Sequence, residues 1–231
     1  MQICFDIIND LHLTSSDKFI WEGKATSLYC LVTGNISDDP KIIHRTLSYL
    51  STLYQGVFYI DGSREHTDLI NRSDKTDELQ KICNTINNTV YLYSEVVIMN
   101  GIAIIGINGW YGNYPVVTLA DDLLIETYRR EDIVYLSNLI KKLQLHVDVK
   151  EIIVISNSVP NKELYFGEAS GLVDDLCPTL CLRGDTEKKV KYWTFGTYDK
   201  KVDITINDIN FISNPYNKDQ PYWPSRIVIE T

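Results

Sequence analysis

The sequence lacks a basic excess: 22 lysines and arginines stand against 31 aspartates and glutamates, a net charge of -9. That balance gives none of the electrostatic footprint a polyanionic backbone requires, so nucleic-acid binding is disfavoured. No run of about eighteen apolar residues occurs, and the opening MQICFDIIND has no basic stretch, signal-length apolar segment or small-residue cleavage site. A soluble, cytoplasmic protein with no membrane partner is expected. Five cysteines are too few and too scattered for a disulfide framework, and their odd number suits a reducing compartment. Cys177 and Cys181 lie four apart with no second pair nearby, and read as buried thiols rather than half of a metal site. Internal repeats, low-complexity tracts and linkers are also missing. Residues 1–231 are therefore expected to form one domain.

What is present is a layered α/β pattern. Ile42, Ile43, Leu47, Leu50 and Leu53 recur at three- and four-residue steps, which predicts a helix starting near Pro40 and capped by Asp38 or Asp39. The same period at Leu79, Ile82, Cys83 and Ile86, and at Ile133, Leu136, Leu139, Ile140 and Leu143, predicts two more. Between them, Leu28 to Val32, Val57 to Ile60, Val96 to Met99, Ile102 to Ile107 and Ile152 to Ile155 read as strands buried on both faces. Beyond Gly196, Val202 to Ile206, Asn210 to Ile212 and Ile227 to Ile229 read as antiparallel strands closing a sheet.

In open α/β sheets, sites assemble on the loops leaving the strands' carboxyl ends. Here those loops carry Asn9-Asp10-Leu11-His12, then Leu31-Val32-Thr33-Gly34-Asn35, then Ile60-Asp61-Gly62-Ser63-Arg64-Glu65. Asn100 to Gly106 with Trp110 follows as a strand, a tight turn, a strand ending in Gly, and a Trp. Next come Val154-Ile155-Ser156-Asn157-Ser158-Val159-Pro160, Trp193-Thr194-Phe195-Gly196-Thr197-Tyr198-Asp199 and Ile212-Ser213-Asn214-Pro215. In order and at plausible spacings, this series resembles the calcineurin-like metallophosphoesterases over nearly the whole chain. The resemblance implies an α/β fold of two mixed β-sheets sandwiched between helices.

In that family two divalent cations about 3.5–4 Å apart clamp a phosphate and lower the pKa of a bridging water that attacks phosphorus. Carried over by motif, the first-metal set would be Asp10, His12, Asn35 in place of the bridging Asp, and Asp199 in place of the final His. Asp10, His12 and Asp199 would remain as a residual one-metal site. The second set would be Asn35, Ser63 in place of Asn, and Asn157 and Thr197 each in place of His. None of these four is anionic or an imidazole, and neutral oxygens do not offset the dehydration of a transition-metal dication. Arg64 stands where the family has its catalytic His; a fixed charge is no general acid, although its planar fork suits an anion.

Glu65 matches an acidic family position that is not a ligand. His66 reads as an exposed polar loop residue, the alternative being a histidine displaced into the catalytic place. His44 and His146 read as helix-surface or helix-end residues, and the aromatic tail from Pro215 to Pro224 as packed on the core. Fifteen tyrosines leave room for an adhesive aromatic surface.

These readings point to a catalytically inactive phosphoesterase-fold protein that binds a protein partner or joins a larger assembly, with no cofactor or one weakly held divalent cation such as Mn2+. The alternative is an active phosphomonoesterase or phosphodiesterase with a reduced one-metal site. The Asn-, Ile- and Tyr-rich composition suits a phage protein, in host cytoplasm or virion.

Overall fold

The computed structural model describes residues 2–21, 23–110, 118–160, 164, 189–218 and 222–230. Strand β1 (Gln2–Ile8) leads to β2 (Tyr29–Val32), helix α1 (Pro40–Ser51), β3 (Gly56–Tyr59), α2 (Arg72–Asn84), β4 (Thr89–Tyr91), β5 (Val96–Met99) and β6 (Ile102–Ile107). Helix α3 (Leu119–Leu145), β7 (Glu151–Ser156), β8 (Val190–Phe195), β9 (Val202–Ile206), β10 (Ile209–Ser213) and β11 (Ser225–Glu230) follow. Among the described residues no helix is long and apolar enough to cross a membrane. Cys177 and Cys181 lie outside the described residues.

The strands form a five-stranded sheet, β11-β1-β2-β3-β4, and a six-stranded sheet, β5-β6-β7-β8-β10-β9. In the first, β1 to β4 are parallel and β11 is antiparallel to β1. In the second, β6, β7, β8 and β10 are parallel, with β5 and β9 antiparallel at the edges. Both sheets are mixed, in agreement with the fold the sequence implies.

Side-chain alternation divides the second sheet between two cores. Ile102, Ile104, Ile153 and Ile155 point toward β1, β2 and β3 and share a cluster with Phe5, Ile7, Leu31 and Tyr59. Ala103, Ile105, Ile152 and Val154 point the other way, onto Leu136, Ile140 and Leu143 of α3. Buried on both faces, β6 and β7 read as unbroken apolar runs. Helices α1 and α2 pack on the first sheet through β3 and β4. Pro40 opens α1 and the Asp39 side chain accepts from Lys41 N at 2.8 Å, satisfying one of the donors orphaned at a helix start.

Three expectations are corrected. β5 is an edge strand with no fully buried residue, and Ile98 is 45% exposed. Helix α3 begins at Leu119, well before Ile133, held by a capping box between Thr118 and Asp121. The closing strands do not finish one sheet: β9 and β10 belong to the second, whereas β11 crosses to pair with β1. A run of alternating residues does not encode which sheet edge it will find.

Candidate functional site

The carboxyl ends of β1, β2, β3, β7 and β8 converge on a cleft of about 1000 Å³, lined by Asp10, His12, Asn35, Ser63, Arg64, Thr197 and Asp199 among others. Asn157 lies beneath it, fully buried. Asp10, Asn35, Ser63, Asn157 and Thr197 form one hydrogen-bonded network. The Asn35 Nδ2 donates to Asp10 Oδ1 at 2.7 Å and to Thr197 Oγ1 at 3.3 Å. Its Oδ1 accepts from Ser63 Oγ at 3.3 Å and from the Arg64 backbone N–H at 3.0 Å. The Asn157 Oδ1 accepts from Thr197 Oγ1 at 2.9 Å and Ser63 N at 3.3 Å, while its Nδ2 donates to the Thr33 carbonyl at 2.8 Å.

Backbone groups settle the two amide orientations. The Arg64 and Ser63 N–H groups only donate and the Thr33 carbonyl only accepts, so neither amide flips without losing a bond. Asn35 therefore points N–H bonds at Asp10, where a bridging carboxylate would point lone pairs at a cation. The oxygens that remain, Asn35 Oδ1 and Asn157 Oδ1, are each engaged by two donors. A dinuclear metal centre does not fit these residues. Among the described residues no three His, Cys, Asp or Glu side chains are grouped to hold an ion. Asp10, His12 and Asp199 line one cleft, yet Asp199 is exposed and all described Asp10 bonds run to Asn35 and the β8 loop.

Backbone strain collects here. Asp10, His12, Asn35 and Thr197 have φ of 52, 47, 55 and 55°, left-handed values that cost a non-glycine residue about 1 kcal/mol each. Gly62 is required for space: a Cβ there would lie 2.5 Å from both Asn157 Nδ2 and Asn35 Oδ1. Glu65 holds two of the loops together. Its carboxylate accepts from the backbone N–H of Asn35 (3.0 Å), Ile36 (2.6 Å) and Gly62 (2.8 Å), fixing the β2 loop to the β3 loop. Its place in the sequence gives no ligand, and the structure makes it a clamp.

Burial dominates the electrostatics. It raises Asp10 to about 6, against the lowering effect of bonds from Asn35, Thr197 and Tyr198. It lowers His12, and nearby Arg64 adds to the effect. Burial also raises Glu65, opposed by the backbone donors it collects.

His66 is neither an exposed loop residue nor a member of the cleft. It is fully buried, its Nε2 bonds to Asp61 Oδ2, and its ring packs on Trp110 with centroids 4.9 Å apart. Asp61 also accepts from Tyr91 OH at 2.7 Å and Asn108 Nδ2 at 3.1 Å. Burial pushes Asp61 up, but His66 and these donors bring it below the ordinary carboxylate value. Beyond Trp110 the Arg72 guanidinium lies over Trp110, Tyr93 and Tyr128 at 4.8, 5.4 and 4.4 Å and pairs with Glu131 at 2.9 Å and Asp132 at 3.4 Å. Burial lifts Asp132 to about 7. One sequence signal existed for this network: Asp132 interrupts the buried stripe of α3 formed by Ile125, Leu136, Ile140 and Leu143.

His44 is exposed on α1, and His146 caps α3. In the tail, Tyr222 is buried and donates to the Asn214 carbonyl, whereas Trp223 is 59% exposed.

No protein-family model matches the sequence, and no curated protein matches it. Among solved structures the chain is similar to the phosphopantetheinyl hydrolase of Mycobacterium tuberculosis, with TM-score 0.70 and 12% identity, over 98% of this chain and 96% of that one. It is similar to a putative 5'-nucleotidase from Staphylococcus aureus, solved in complex with alpha-ketoglutarate (TM-score 0.57, 11% identity, 100% of this chain and 51% of that one). A third is GAP50, the anchor in the inner membrane complex of Plasmodium (TM-score 0.56, 14% identity, 92% of this chain and 71% of that one). The chain spans about half the length of the nucleotidase. At such identities the likeness concerns fold, not activity. Its two mixed sheets and these neighbours give the chain a metallophosphoesterase-like α/β fold.

Proposed function

We propose that this chain is a non-catalytic protein of metallophosphoesterase-like fold that uses the cleft for binding, as a regulatory partner or a component of an assembly. One observation carries the reading: the Asn35 amide donates to Asp10 at 2.7 Å, where metal chemistry needs a shared carboxylate. Asn157 and Thr197, at positions where the resemblance places imidazole ligands, bond each other instead. Arg64 stands where the resemblance places a catalytic His, and a guanidinium is no general acid to a leaving oxygen.

A phosphoesterase with one metal is the second reading, supported by Asp10, His12 and Asp199 lining the same cleft. Incubation with Mn2+ and a chromogenic phosphodiester separates the two. The non-catalytic reading expects no turnover above a protein-free control. Turnover at an ordinary enzymatic rate, abolished in Asp10→Ala, overturns it.

A further inference from the structure

Two polar groups at the cleft are left over by the network just described. Asp10 is 4% exposed and lines the cleft, and its Oδ2 is buried without a hydrogen-bond partner among the described residues, whereas its Oδ1 accepts from Asn35 Nδ2 and Thr197 N. Across the Asn35 amide stands Arg64. Its Nε is buried without a hydrogen-bond partner among the described residues, and Asp38, 3.9 Å from Nη2, is beyond hydrogen-bond reach. The two residues are close: the backbone of Arg64 and the Asp10 carboxylate contact opposite ends of that one amide, at 3.0 and 2.7 Å. Both residues line the one cleft.

We infer that the cleft binds, without metal, a small oxyanion carrying a hydroxyl, its charged oxygens on the Arg64 fork and its hydroxyl donating to Asp10 Oδ2. A guanidinium selects planar or tetrahedral oxyanions by paired hydrogen bonds. An acceptor-only carboxylate oxygen selects among them for a donor, because an anion without one would set two acceptors face to face. Charge limits the size. Lys18, Arg64 and Lys218 share the lining with Asp10, Asp17, Asp38 and Asp199, so a polyphosphate meets more repulsion than attraction, whereas a singly or doubly charged group is tolerated.

This inference rests on the non-catalytic reading and names the ligand of the same cleft. Calorimetric titration in EDTA at about pH 7.5, where phosphate keeps a hydroxyl and sulfate has none, compares two matched pairs: phosphate with sulfate, and glycolate with acetate. The hydroxyl-bearing member of at least one pair is expected to bind about tenfold more tightly than its partner, and which pair responds separates a phosphoryl from a carboxylate ligand. Arg64→Ala, at a side chain 36% exposed, is expected to abolish binding without unfolding the chain. Asp10→Asn, which can place an amide donor where Oδ2 lies, is expected to erase or reverse the preference. Equal binding within both pairs, or no binding at all, overturns the inference and leaves the non-catalytic reading standing. Binding that appears only when Mn2+ replaces EDTA overturns both.

Discussion

Replacing Asn35 by Asp inserts the carboxylate that a bridged metal pair would use, and without an ion the substitution should harm the protein. The native amide gives Asp10 a charge-assisted bond of 2.7 Å. An aspartate would keep the oxygen that receives the Arg64 N–H and turn its second oxygen on Asp10. Two carboxylates at that distance do not both ionise; they hold one proton between them and the higher of their two apparent pKa values rises. The pair's folded value then exceeds its unfolded value, so stability is lost as pH rises toward it. Holding the proton at about pH 7.5 costs at most about 5 kcal/mol, at 1.36 kcal/mol for each unit above an unfolded value near 3.9. At about pH 5 the same cost is about 1–2 kcal/mol. Urea denaturation of wild type and Asn35→Asp at both pH values, in EDTA, is the assay. A penalty of about 3–5 kcal/mol at the higher pH, shrinking about threefold at the lower, is expected. Added Mn2+ should restore part of the loss without producing turnover, since Ser63, Asn157 and Thr197 remain poor ligands. Equal stability of the two proteins at neutral pH without metal would show that no proton is shared across the substituted pair, and would refute the reasoning.

Glu65→Gln leaves at least one of three backbone donors unmatched and should cost about 2–3 kcal/mol; hydrogen exchange should accelerate at Asn35, Ile36 and Gly62, and unchanged protection there would count against the clamp. Arg72→Met strips the partner from buried Asp132 and should cost about 3–5 kcal/mol at neutral pH, less near pH 5 where Asp132, raised to about 7, is protonated; a pH-independent loss would contradict this. Asp10, raised to about 6 by burial, binds its proton more tightly folded than unfolded, so its charge lowers stability as pH climbs from about 4 to about 7. Asp10→Asn should therefore gain up to about 2 kcal/mol at about pH 7.5, with the gain vanishing near pH 4, as read from urea midpoints.

Much of the fold was legible because its physics is local. Pro40 after Asp39, ahead of an apolar stripe of helical period, marks the start of α1, and the runs Ile102 to Ile107 and Ile152 to Ile155 form strands covered on both faces. The strand-end motifs brought Asp10, Asn35, Ser63 and Thr197 to one cleft, since parallel strands deliver their following loops to the same edge. What escaped depends on partners distant in sequence. His66 looks like any polar loop residue until Asp61 and Trp110 enclose it, and Glu65 carries no mark of the three N–H groups it receives. The first half of α3 lacks an apolar stripe because Leu119 and Leu123 face outward and its main anchors, Ile125 and Tyr128, pack on Trp110 and Leu69. Strand β5 has the composition of an interior strand but sits at an edge.

On the proposed reading, hydrogen bonds among Asp10, Asn35, Asn157 and Thr197 take the place of a dinuclear metal centre. Metal analysis of protein equilibrated with excess Mn2+ and freed of unbound ion tests it most directly, read beside anomalous scattering from a crystal soaked in the same ion. No stoichiometric pair is expected, and at most one weak site near Asp10. Two fully occupied Mn2+ ions about 4 Å apart, ligated through Asn35, would contradict it.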